Sequence, residues 1–196
     1  MKKILGLAAV LAAVLAVGYY TVVKYVVPAA LQEAVPQIEA QAEKYVNGKV
    51  KVGSLVWDGA FKLTLNQVQA FDLQQQLVAN LPETEVTLNP LAAYKDVQRA
   101  VTSIALHGPE IYLRQNQKKQ WNLQNYLKPS ESDTTPFYGK ITLDGGLVHV
   151  ITPEIKQDCG VEGSLDAATN PDFGLDLLVS RGQDQIKVAG KLDKNA

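Results

Sequence analysis

The side chains able to do chemistry are few, and their spacing supports none. The chain holds one cysteine, Cys159, and two histidines, His107 and His149. A thiol nucleophile needs a base within reach, and the sequence sets no histidine beside Cys159. Cys159 instead shares a parity with Ile155, Val161 and Leu165, the position of a small buried hydrophobe. His107 and His149 fall in strand-like stretches without a third ligand, and no zinc-type spacing surrounds Cys159. Gly145-Gly146 resembles a phosphate loop only superficially, because no helix follows to present its positive end. No acid/base pair and no nucleophile elbow is recognisable. Trp57 and Trp121 read as packing anchors at strand ends. Lys118 and Lys119 lie in a polar run, 115–120, that reads as a solvated turn, with contact to anionic headgroups as the alternative. These residues argue against an enzyme and imply no metal and no cofactor.

What must be positioned is therefore surface rather than a reactive group. The 196 residues carry a net charge of −1 and a pI of about 6.1. No basic field exists to hold a polyanion, which argues against nucleic-acid binding. A single cysteine forbids an internal disulfide.

The chain is organised around Ile4 to Val23, twenty uncharged residues closed by Lys2 and Lys3 before and Lys24 after. At ~1.5 Å per residue a helix here spans about 30 Å, the hydrocarbon thickness of a bilayer. Ile4, Leu7, Leu11, Leu15 and Val23 supply apolar surface, while Tyr19 and Tyr20 suit the membrane boundary. A cleaved signal peptide is the competing reading, but the apolar run exceeds the usual h-region of about 7–15 residues and no clean cleavage site follows. The expectation is an uncleaved single-pass anchor over 1–27 with a cytoplasmic N-terminus and the bulk of the chain on the other side.

Residues 28–48 read as a juxtamembrane helix. Leu31, Val35, Ile38, Ala42 and Tyr45 recur at helical steps, Pro36 should kink or split it, and Asn47-Gly48 should stop it. From Lys49 the period becomes two. Phe61, Leu63 and Leu65, then Val86 and Leu88, Ile104 and Leu106, Ile111 and Leu113 alternate with polar neighbours. This pattern predicts a half-buried antiparallel sheet over 49–128. Two short helical insertions interrupt it: one is capped by Asn89 ahead of Pro90, with Leu91, Tyr94 and Val97 on one face; the other is capped by Asn122 over Leu123–Leu127. A polar linker spans 129–136. A second β region, 137–196, follows with Ile141 and Leu143, a tight turn at Asp144-Gly145-Gly146, and further alternating strands. It ends directly after a strand, as a truncated or continuing sheet would. The expected class is mainly β with an N-terminal α region: a transmembrane helix plus a curved antiparallel sheet, open as a trough. A one-faced apolar sheet must bury that face against itself, a second sheet, another chain or a lipid.

Leu88-Asn89-Pro90-Leu91, then Gly108-Pro109-Glu110-Ile111-Tyr112-Leu113-Arg114, then Trp121-Asn122-Leu123, in this order behind an anchor, resemble the N-terminal region of AsmA-like and TamB-like envelope proteins. Residues 137–148 (FYGKITLDGGLV) resemble the next strand pair of that family. The resemblance implies an inner-membrane protein facing the periplasm, whose bent sheet encloses an apolar groove for phospholipid transport and outer-membrane biogenesis. It implies membrane phospholipids and an outer-membrane assembly protein as partners, no cofactor, and no catalytic residue. Family members are several times longer, so this chain corresponds to a fragment or to a short version working with partners. Leu63, Leu65, Val86, Leu88, Ile104, Leu106, Ile111, Leu113, Ile141 and Leu143 are the expected lipid contacts. The alternative is a membrane-anchored β-sandwich interaction module that transports nothing, its two apolar faces packed about 10 Å apart.

Overall fold

The computed structural model describes residues 27–58, 61–89, 91–92, 99–126, 128, 137–168 and 172–193. The expected anchor, with Ile4, Leu7, Leu11, Leu15, Tyr19, Tyr20 and Val23, lies outside the described residues, as does the linker 129–136. Among the described residues no helix is long and apolar enough to cross a membrane.

One helix, α1 (Val27–Ala42), precedes nine strands: β1 (Gly48–Trp57), β2 (Lys62–Asp72), β3 (Leu77–Leu88), β4 (Val101–His107), β5 (Glu110–Arg114), β6 (Lys140–Ile151), β7 (Lys156–Asp166), β8 (Asp172–Arg181) and β9 (Asp184–Asp193). All nine belong to one curved sheet in the order β1-β2-β3-β4-β6-β7-β8-β9, with β5 paired to β3 and β6. The two β regions expected from sequence are thus a single sheet. The described residues form no second sheet, so the sandwich geometry is absent among them.

Alternation became strands as expected, but the sheet is mixed rather than antiparallel. β6 runs parallel to both β4 and β5, with Ile104 opposite Ile141 and Ile111 opposite Val148. β4 and β5 lie end to end along β3, both antiparallel to it, so the chain leaves the sheet after β5 and re-enters in the same direction. Helix α1 is one piece with Pro36 inside it. Leu31, Val35 and Ile38 of the expected stripe join one apolar cluster across the proline with Ala34, Val52, Leu55, Leu63, Leu65 and Val68, but the helix ends at Ala42 rather than at Asn47-Gly48, and Tyr45 lies beyond it, 63% exposed. Burying Val35 and Leu55 here contributes on the order of 1.5–3 kcal/mol each.

A transverse crease crosses the sheet at mid-height. In the pairing of β1 with β2 and of β2 with β3, Gly53, Gln67 and Pro82 fall in the gap between matched pairs. Gly108 and Gly145 continue the line between β4 and β5 and within β6. Gln67, Gly108 and Gly145 have φ of 54°, 60° and 62°, and the β6–β7 register shifts at the same level. Asp144-Gly145-Gly146, expected as a turn, is therefore a bulge within β6. In β1 and β2 the register does not shift at this level, yet Leu55 and Val52, three residues apart, both join the cluster beneath α1, and likewise Leu65 and Val68, so the in/out alternation inverts across the crease.

Candidate functional site

Directly opposed residues in a sheet share a face, so the register assigns the faces. Trp57, Leu63, Val86, Ile104, Ile141, Leu165, Leu175 and Gly190 oppose one another in turn from β1 to β9. One step along, Leu55, Leu65, Thr84, Leu106, Leu143, Gly163, Leu177 and Val188 form a second row. Both lie on the side that α1 covers at its β1–β2 end. Above the crease Ala70, Ala79, Ile111 and Val148 oppose one another, followed by Leu113 with Val150. The row between the first two belongs to the other face and is mostly polar: Val56, Thr64, Glu85, Ala105, Thr142, Ser164, Asp176 and Ala189.

The expected contact residues Leu63, Leu65, Val86, Ile104, Leu106, Ile141 and Leu143 are thus brought onto one apolar face, and Ile111 and Leu113 rejoin it across the crease. Leu88 stands apart at the end of β3, beyond a register irregularity and opposite Val101. All ten are half-buried. The fully enclosed apolar side chains on the face are Val52 and Leu55, together with Val35 of α1. From β3 to β9 no described helix or strand lies over the rows. One polar group interrupts them: Thr84, 7% exposed, whose Oγ1 has no hydrogen-bond partner.

The outer face carries the charge. Lys62 Nζ donates to Glu85 Oε2 at 2.8 Å; this bond holds the Glu85 carboxyl below its ordinary range and raises the Lys62 ammonium above its own. His107 stands 3.9 Å from Glu85 through Nε2 and 3.9 Å from Asp144 through Nδ1. Glu83, Glu85 and His107 present ligand atoms within 4.8 Å of one another. The expectation that His107 lacks further ligands is thus corrected. The missed signal is register: Glu83 lies 24 positions away in sequence but directly opposite His107. Lys62 occupies an oxygen that a cation would need. His149 stacks on Tyr112 at 4.6 Å and bonds Asp158 through Nδ1 at 2.7 Å, an ordinary cross-strand set. Tyr112 donates to Glu110, which pushes its phenol upward.

Beyond the crease, the strand ends surround a cleft of about 1030 Å³ walled by Asp72, Gln76, Arg114, Trp121, Tyr126 and Ile151 among others. Arg114 Nη1 donates to the Leu77 carbonyl, and Asp72 accepts the N–H groups of Gln74 and Gln76. Burial pushes the Tyr126 phenol upward. Asn122, expected as a cap, is instead the first residue of its turn. A 3₁₀ turn runs from Asn122 to Asn125, and the Asn122 side chain accepts from Arg114 N and donates to the Tyr112 carbonyl, fixing the chain to β5. Asn89 does accept the N–H groups of Leu91 and Ala92, as an N-cap would; Pro90, Tyr94 and Val97 lie outside the described residues. Cys159 is free and half-buried, with the Gln157 amide 3.8 Å from its sulfur. Ile155 falls in the β6–β7 turn and is exposed.

Comparison with protein-family models, with curated proteins and with solved structures finds no match to this chain.

Proposed function

We propose that this chain belongs to an AsmA/TamB-type envelope protein, anchored in the inner membrane by Ile4–Val23 and facing the periplasm, that carries acyl chains of phospholipids on the apolar face of its sheet. One observation carries the reading: two apolar rows run across eight strands on a single face, and no described helix or strand covers them beyond β2. An acyl chain lying along such a row replaces water at about 25 cal/mol per Å². The face offers almost no hydrogen-bonding group, so nothing pins the chain in one place and it can slide. Headgroups stay at the wet margins. The outer face, with Glu83, Glu85, His107 and Asp144, remains solvated and takes no part. In this reading the protein acts without cofactor or catalytic residue, and an outer-membrane assembly protein is its downstream partner.

Mass spectrometry of the full-length protein, purified in a detergent unlike any natural lipid, tests this. Bound phospholipid is expected in the native protein and several-fold less after Leu106→Asp, which places a carboxylate in the middle of a row. Equal phospholipid in both, or none in either, would refute the proposal. The sandwich module has no observation in its favour among the described residues.

A further inference from the structure

Residues of two tight turns line the cleft beyond the crease. In the β2–β3 turn the Asp72 N–H donates to the Gln76 carbonyl at 2.9 Å, and the Asp72 carboxylate takes the N–H groups of Gln74 and Gln76, each at 2.9 Å. In the turn after β5, Gln115 pairs with Trp121 and the Asn116 N–H donates to the Gln120 carbonyl at 2.9 Å. The Asn116 side chain accepts from Lys118 N and Gln120 N, and Asn122 ties this turn back to β5. Both turns hold their shape through their own hydrogen bonds, which lowers the ordering cost of binding a ligand between them.

The lining has an unusual composition. Half of its residues are asparagine or glutamine, and the charged ones are Asp72 and Arg114 alone. Those two are opposite in sign and each is already held by backbone groups, Arg114 by the Leu77 carbonyl. The cleft is therefore neutral in sum and presents no concentrated field to a charged ligand. Gln74, Gln76 and Gln117 are exposed, and their carboxamides form no hydrogen bond with a described residue. Each such group offers two donors and an acceptor. Trp121, half-buried, adds an aromatic face, with Ile151 and Pro153 as further apolar lining.

We infer that this cleft binds a short, uncharged oligosaccharide. A sugar hydroxyl both donates and accepts, as a carboxamide does, so a row of free amides matches a rim of hydroxyls where arginines or carboxylates would favour a charged partner. A pyranose ring also carries an apolar face of C–H groups, which suits an aromatic ring such as Trp121. The volume of about 1030 Å³ lies at the upper end of the ~300–1,000 Å³ found for small-molecule sites, room for more than a single sugar ring. Gln74 and Gln76 from one turn and Gln117 from the other would take the hydroxyls, and Trp121 the ring face. No covalent step is involved. The inference rests on the cleft and stands whether or not the apolar face of the sheet carries lipid.

The test titrates the full chain, held in a detergent without a sugar headgroup, with maltotriose, cellotriose and chitotriose, and reads binding by saturation-transfer NMR. Trigalacturonate, a charged saccharide, and glycerophosphoethanolamine, a lipid headgroup, are titrated beside them. Saturable binding of at least one neutral trisaccharide is expected, tighter than that of either charged probe. Trp121→Ala should weaken it roughly tenfold. Gln76→Ala/Gln117→Ala, at two exposed positions, should weaken it roughly five- to tenfold with an unchanged circular dichroism spectrum, and keeps the test decisive if Trp121→Ala does not fold. Binding of none of the three neutral saccharides overturns the inference, as does unchanged affinity in either variant. Glycerophosphoethanolamine or trigalacturonate binding as tightly as the best neutral saccharide also overturns it, the former by making the cleft a headgroup site.

Discussion

Gly108 and Gly145 permit a direct measurement of what maintains the crease. Both have φ near +60°, and a Cβ added at either meets nothing within 4 Å. Alanine at Gly145 is therefore opposed by conformation alone, about 1–2 kcal/mol for a left-handed L-residue. Gly190 provides the matched control: its added Cβ also meets nothing within 4 Å, and its φ is not positive. Any gain from stiffening the unfolded chain, about 0.4–1 kcal/mol, applies to both and cancels in the comparison. Gly145→Ala should thus be less stable than Gly190→Ala by about 1–2 kcal/mol, or roughly 2–8 °C in unfolding midpoint for a domain of this size. Gly145→Asn should recover much of the difference, because asparagine tolerates the left-handed region. Gly163→Ala should be far worse, since its Cβ would lie 2.1 Å from the Asp176 carbonyl oxygen on β8. Urea and thermal unfolding followed by circular dichroism decide the matter. Equal stability of Gly145→Ala and Gly190→Ala would show that Gly145 does not hold a left-handed bulge in solution, and the assignment of faces above and below the crease would fail with it.

Other outcomes follow from the packing and the charges. Leu55→Ala, at a 4% exposed site beneath α1, should cost about 2–4 kcal/mol, whereas Leu106→Ala, half-buried on the open part of the face, should cost about 1 kcal/mol; chemical denaturation compares them. Glu39→Ala removes the acceptor of the Val52 N–H and should cost about 1–2 kcal/mol, with faster hydrogen exchange at the Val52 amide. Glu85 should titrate by NMR below the ordinary glutamate range, and Lys62→Met should return it upward. A depressed carboxyl favours the fold above its unfolded pKa and loses that contribution as pH falls through the folded value. Here both groups are solvated, so Lys62→Met should leave the unfolding midpoint nearly unchanged.

Alternation made the strands and the one-sidedness of the sheet legible. The helix was legible from Leu31, Val35 and Ile38, and the ten contact candidates fall in strands, as their alternation implied. Parity across a bulge was not legible: Ile104 and Leu106 are even, Ile111 and Leu113 odd, and only the left-handed Gly108 between them places all four on one face. Asp144-Gly145-Gly146 has the composition of a turn, and only its partners in β4 and β7 show that the strand continues. Parallel pairing of β6 was hidden because local pattern carries no strand direction. The Glu83, Glu85 and His107 cluster was hidden because it depends on register. The hydrogen bonds from the Val52 and Val50 amides to Glu39 and Glu43 had a local trace, two glutamates four residues apart beside the apolar stripe of α1, but their partners could be read only from the strand next to it.

The distinction between the two faces is tested most directly by photo-crosslinking in living cells. A photoreactive residue at Leu65 or Leu106 sits on the apolar face, and one at Thr64 sits on the opposite face of the same strand as Leu65. Phospholipid captured from Leu65 and Leu106 but not from Thr64 is the expected result. Capture of none from all three, or equal capture from Thr64, contradicts a lipid-bearing face.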